Sequence, residues 1–211
     1  MINTEDQEAL FKLISEYLEK DVECTAIGDT AMMFLGYKTA TKDIDMVFQN
    51  EKDRGIFIKA IEKIGYKERS IRGVYDKKRE QHKGKPKMFS RGEERFDLFV
   101  KNVFGVEITK DMTQRNDFIG KKTLIIKILP KEDLILLKAV TNREKDMEDI
   151  EAIVEKEKSI DWNRIVDYAA SQRNNSPWIL HDLEEKMQLL KKKLFIKKEF
   201  FDKIYEAESM H

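Results

Sequence analysis

Two aspartates stand two residues apart in the run Thr41-Lys42-Asp43-Ile44-Asp45-Met46-Val47-Phe48. The alternation predicts a strand over Asp43–Phe48, with Ile44 and Met46 on one face and Asp43, Asp45 and Val47 on the other. Residues at i and i+2 of a strand have Cα atoms about 7 Å apart. Two ionised carboxylates that close repel each other unless a positive charge sits between them. A divalent ion, magnesium or else manganese, suits the place, because hard cations take carboxylate oxygens. A third acid, Asp97, interrupts the apolar run Phe96-Asp97-Leu98-Phe99-Val100, where an unpaired charge is costly. If strands 43–48 and 95–100 are neighbours, three oxygen donors converge. Such a set holds one or two metal ions for in-line phosphoryl displacement, with Asp97 helping to activate an attacking hydroxyl. An Asp-x-Asp pair alone is common, however, and Asp97 alone reads equally as a strand-end cap or as half of an ion pair with Arg95 or a nearby lysine.

Context separates these readings. An amphipathic helix is expected over Thr4–Lys20, carrying Leu10, Leu13, Ile14, Tyr17 and Leu18, with Thr4 and Asp6 as candidate caps. A short strand through Thr25, Ala26 and Ile27 breaks at Gly28-Asp29, and a compact helix over Thr30–Leu35 stops at Gly36. After the Asp43–Phe48 strand come a helix over Glu51–Ile64 and a weakly patterned stretch, Tyr66–Ser90. That stretch holds a candidate strand, Tyr66–Arg69 with Ile71 and Arg72, and a basic loop, His82–Lys87. Strands follow at Arg95–Val100 and Thr123–Leu129, the last stopped by Pro130. Beyond it the period is helical: Leu134–Val140, Asp146–Glu155, Trp162–Ala170, Trp178–Leu190 and Lys197–Glu208. The chain is therefore expected to divide into a mixed half, 1–129, and an all-helical half, 130–211.

The order of these elements brings a family into view. Ile27-Gly28-Asp29-Thr30-Ala31 followed by Thr41-Lys42-Asp43-Ile44-Asp45 resembles the fingerprint of the DNA-polymerase-β-like nucleotidyltransferase superfamily. It looks closest to small prokaryotic members related to the toxin components of abortive-infection systems. The resemblance runs over about residues 22–150, since Leu134–Lys138 and Arg143–Ile150 also look like the helical segment of that branch. It implies an α+β fold, a mixed sheet with flanking helices, followed by a helical domain. It implies magnesium-dependent transfer of a nucleoside monophosphate from a triphosphate, ATP among the candidates, to a hydroxyl. Asp43, Asp45 and Asp97 would be both metal ligands and catalytic residues, and Gly28, Asp29, Thr30, Lys42 and Lys138 would lie near the nucleotide. One position departs from the family. Where its turn has a second Gly or a Ser, this chain has Asp29, which repels phosphate unless it caps the helix starting at Thr30. That departure supports a rival reading, a catalytically silent module that binds RNA or a toxin–antitoxin partner.

The remaining signals are weaker. Lysine plus arginine equal aspartate plus glutamate at 40 each, so no global basic field points to nucleic acid. The single cysteine, Cys24, excludes an internal disulfide and reads as a buried, inert thiol. The N-terminus is unlike a signal peptide and no apolar run is long enough to span a bilayer, so a cytoplasmic protein with no membrane partner is expected. Lys42 alternates away from the acid pair and reads as surface, with Lys38 in the loop before it. Arg143, Asp146 and Asp149, at helical spacing, read as ion pairs that fix two helices. The locally basic run Lys191–Lys198 reads as solvated. Trp162 and Trp178 read as core anchors. The acceptor, whether tRNA, protein or a small molecule, has no signature here.

Overall fold

The computed structural model describes residues 1–70, 84–109, 112, 118–119, 123–141 and 143–209. The expected strand residues Ile71 and Arg72 and the His82–Lys83 part of the basic loop lie outside them. The chain divides into two compact units, Met1–Pro130 and Lys131–His211.

The first unit begins with α1 (Thr4–Glu16), β1 (Val22–Ala26), α2 (Gly28–Phe34), β2 (Asp43–Phe48) and α3 (Glu51–Lys63). The strands β3 (Lys67–Arg69), β4 (Lys87–Arg91) and β5 (Glu94–Val100) follow, then the short β6 (Asn102–Val103), β7 (Val106–Glu107) and β8 (Phe118–Ile119), and finally β9 (Leu124–Ile128). Helix α1 ends at Glu16, short of Lys20, and its cap is Asn3 rather than Thr4 or Asp6. The Asn3 side chain accepts from the Asp6 amide at 2.8 Å and the Asp6 carboxylate accepts from the Asn3 amide at 3.1 Å, a reciprocal box that satisfies two terminal donors.

The sheet runs β3-β4-β5-β2-β1-β9-β8, with β6 and β7 extending from β5. It is mixed: β2 is parallel to β5 and antiparallel to β1, and β1 is parallel to β9. The acidic strand is therefore hydrogen-bonded on both edges. On one face of β2, Ile44, Met46 and Phe48 are buried, and Phe48 meets Phe57 of α3 with ring centroids 5.3 Å apart. Phe57 packs in turn on Phe96 of β5, which also meets Tyr66. This aromatic layer fixes which face of β2 and β5 goes inward, and so turns Asp43, Asp45 and Asp97 to the other. Cys24 is fully buried, and that burial pushes its thiol well above the ordinary range.

The second unit is helical: α4 (Lys131–Thr141), α5 (Glu144–Lys156), α6 (Trp162–Ser171), α7 (Ile179–Leu190) and α8 (Lys198–Ser209). Leu134, Leu136, Ile150, Ile153, Ile165, Leu183, Met187 and Ile204 form its core. Trp162 joins that core, but Trp178 does not: it is 71% exposed, because it caps α7 from outside while Ile179, Leu180 and Leu183 take the inward places. Among the described residues no helix is long and apolar enough to cross a membrane.

Candidate active site

The site is assembled from one turn and two strands. The β1–β2 ladder closes with Ala26 opposite Met46, and the Ile27 amide then donates to the Asp45 carbonyl at 3.0 Å. Within the first turn of α2, the buried Thr30 hydroxyl accepts from the Asp45 amide at 2.9 Å and reaches the Asp43 carbonyl at 3.4 Å. Thr30 thus serves the backbone of the acidic strand. Between these two contacts lies Gly28, at φ +53°, in the left-handed region that favours glycine. A Cβ placed there would stand 2.6 Å from Asp45 Oδ2. The missing side chain is what lets the carboxylate turn toward the backbone of the turn.

Strands β2 and β5 are neighbours in a register that sets Asp45 directly opposite Asp97 and Asp43 directly opposite Arg95. All four side chains share a face by the two-residue period. Arg95 Nη2 lies 2.8 Å from Asp43 Oδ2, and Arg95 Nε lies 2.9 Å from Asp97 Oδ1. Asp97 is fully buried, whereas Asp43 is 39% exposed. The ion pair of Arg95 with Asp97 was visible as one option in the sequence. Its second arm, to Asp43, was not, because it depends on the pairing of β2 with β5.

Asp29 does not cap α2. The helix starts at Gly28 with Ile27 at the cap position, so Asp29 falls inside the first turn, where its carboxylate lies 2.8 Å from Lys38 Nζ. The helix begins two residues earlier than the spacing suggests because Gly28 accepts the backbone conformation that starts it. Lys42 is exposed and lies 3.3 Å from Glu93.

A model of the family described as "Nucleotidyl transferase of unknown function (DUF2204)" matches residues 6–195. The chain belongs to that nucleotidyltransferase family. Among solved structures, ANT(2'')-Ia in complex with adenylyl-2''-tobramycin is similar at 15% identity over 80% of this chain and 97% of its own, with a TM-score of 0.49. A solution structure of the antibiotic-resistance factor ANT(2'')-Ia covers 87% of this chain at 16% identity and 100% of its own, also at 0.49. JHP933 from Helicobacter pylori covers 97% of this chain and 87% of its own at 12% identity and a TM-score of 0.42. No curated protein sequence matches the chain.

The donor set of this family member suits a divalent cation. Three carboxylates against one guanidinium leave the face with two net negative charges, all of the oxygen donors hard. The cradle at Gly28, which a Cβ would fill, gives the Asp45 oxygen its room. As they stand the acids are spread: among the described residues no three His, Cys, Asp or Glu side chains are grouped closely enough to hold an ion. Gathering them around a cation takes side-chain rotation, for which the half-exposed Asp43 has room.

Lys138 lies in the second unit. It is buried on α4 and paired with Asp149 of α5, and Asp146 Oδ1 lies 3.7 Å from its Nζ. Asp146 also accepts from Arg143 Nε and Nη2, each at 2.8 Å, and from the Thr141 hydroxyl at 2.5 Å. Burial alone would push the Asp146 pKa up, but hydrogen bonds from Arg143 and Thr141 and the charges of Arg143 and Lys138 outweigh it and hold the group below its ordinary value. The cluster bolts α4 to α5.

Proposed function

We propose that the chain transfers a nucleoside monophosphate from a nucleoside triphosphate to a hydroxyl, at a divalent-metal site formed by Asp43, Asp45 and Asp97. One observation carries the reading. The β2–β5 register sets Asp45 opposite Asp97, with Asp43 on the same face, beside a glycine whose missing side chain accommodates Asp45.

Asp43 and Asp45 would hold the cation, magnesium or manganese, with Asp97 completing the set. When bound, the cation supplies charge stabilisation to the phosphoryl oxygens. The acceptor hydroxyl oxygen forms a bond to the α-phosphorus, the bond from that phosphorus to the bridging oxygen breaks, and pyrophosphate leaves. The hydroxyl proton passes to the Asp97 carboxylate. Gly28 and the start of α2 shape the floor of the site near the phosphates. Lys42, exposed at the rim, is available to a phosphate at the cost only of its weak pairing with Glu93. Lys138 does not enter this reading, being committed to two aspartates in its own unit.

The silent-module reading drew on the charge of Asp29. Lys38 partly neutralises that charge, which removes much of the argument against a triphosphate beside Gly28. The test is incubation of the full chain with each radiolabelled triphosphate, magnesium or manganese, and total cellular RNA and protein. Label is expected to move to one class of acceptor, and the Asp43→Ala, Asp45→Ala double variant should lose the transfer while keeping its fold. Transfer that survives in that variant refutes the site. Calorimetry showing no triphosphate binding at millimolar concentration favours the silent module.

A further inference from the structure

We infer that Arg95 is a positioning residue for the acidic site: its guanidinium pairs with Asp43 on one strand and Asp97 on the other and keeps the two acids from splaying, which shortens the rotation by which a cation gathers them. The inference rests on the metal reading above and names the part that Arg95 plays in it. The four residues form a two-by-two patch in which Asp43 faces Arg95 on one rung and Asp45 faces Asp97 on the next. Asp43 and Asp97 are therefore diagonal neighbours on different strands: the ladder fixes their backbones, and side-chain contacts set the separation of their carboxylates. Arg95 reaches both, Nη2 to Asp43 at 2.8 Å across the strands and Nε to Asp97 at 2.9 Å along its own. Nε and Nη2 belong to one rigid planar group, so a single guanidinium confines both carboxylates by charge, the Nε–Asp97 contact being an ion pair without hydrogen-bond alignment.

The position of the arginine also matters. It stems from the Asp43 rung, while Asp45 and the Gly28 cradle mark the other side of the patch. The guanidinium engages Asp43 and Asp97 from its own rung. It also sets one positive charge against three carboxylates, one of which, on Asp97, is fully buried. A lysine would supply the charge but not the planar group, since an ammonium is a point charge on a flexible stem.

The sign of one measurement separates this role from that of a bystander. If Arg95 contributes only charge, removing it strengthens the attraction of the patch for a cation, and metal binds more tightly. If Arg95 sets the spacing, removing it lets Asp43 and Asp97 splay, and metal binds more weakly. Manganese binding to the full chain is followed by electron paramagnetic resonance for the native protein, R95Q and R95K, alongside thermal melts without metal. The expected result is a tenfold or greater loss of affinity in R95Q, partial recovery in R95K, and a fall in kcat with little change in nucleotide KM. Equal or tighter manganese binding by R95Q overturns the inference while leaving the metal site standing. A native protein that binds no manganese removes the metal reading and the inference with it. If R95Q and R95K both fail to fold, Arg95 is structural and the inference is again overturned.

Discussion

Replacing Gly28 by alanine separates the strain that the turn tolerates from the space that the site needs. At φ +53° an alanine adopts a backbone that costs about 1–2 kcal/mol. That loss predicts a melting temperature lower by a few degrees, not a failure to fold. The new methyl would stand 2.6 Å from Asp45 Oδ2, where ordinary contact begins at 3.4 Å. The oxygen must then withdraw by roughly 0.8 Å, and a misplacement of about 1 Å at a reacting centre costs on the order of 100-fold in rate. Because the obstructing atom ends a side chain, it swings aside cheaply, so the damage falls on position and hardly on stability. Nucleotidyl transfer by Gly28→Ala is therefore expected to fall about 100-fold, with a matching loss of manganese affinity, in a protein that still melts cooperatively. The assays are label transfer from the triphosphate, manganese titration and a thermal melt. Transfer within threefold of the native rate, in a variant showing the small melting loss, would refute the claim that the Gly28 cradle keeps Asp45 in place.

Lys138→Ala should destabilise the second unit by about 3–5 kcal/mol, since it strands buried Asp149 and weakens Asp146, and urea unfolding measures it. If Lys138 instead contacts nucleotide, the variant raises KM and leaves the urea midpoint nearly unchanged. Asp146 gives a pH signature: its folded pKa lies below the unfolded 3.8, so its contribution is present above that value and fades as pH falls through the folded one. Arg143→Gln should shrink that acid-side loss, as read from urea midpoints taken between about pH 5 and pH 2.

The parts legible in the sequence are those set by local period. The strand Asp43–Phe48 is found with the bounds that its alternation predicts, and the chain turns helical after Pro130 as the spacing of its leucines suggests. What the sequence left conditional was adjacency. Nothing local states that β2 lies beside β5, and the meeting of Asp45 with Asp97 depends on that pairing and its register. β4 escaped notice because Lys87-Met88-Phe89-Ser90-Arg91 is short and only its middle is apolar, so it owes its state to pairing with β3 and β5. Trp178 misled because bulk at a helix start suggests an anchor, whereas the residue sits one place outside the helix that would have buried it. The partners of Lys138 were separately visible as a cluster of acids on the next helix, but their reach back to it depends on how tightly α4 and α5 fold against each other.

The Thr30 hydroxyl has a mechanical consequence. Beyond the Ile27 amide, which still bonds the Asp45 carbonyl, the first strand no longer accompanies β2, and a single oxygen atom takes over, accepting from the Asp45 amide and reaching toward the Asp43 carbonyl. Turn and acidic strand are thereby riveted into one part. A ligand that pushes on the start of α2 does not meet a hinged flap; it loads the centre of the sheet. The adjustable parts of this site are its outer side chains, and its floor behaves as an anvil.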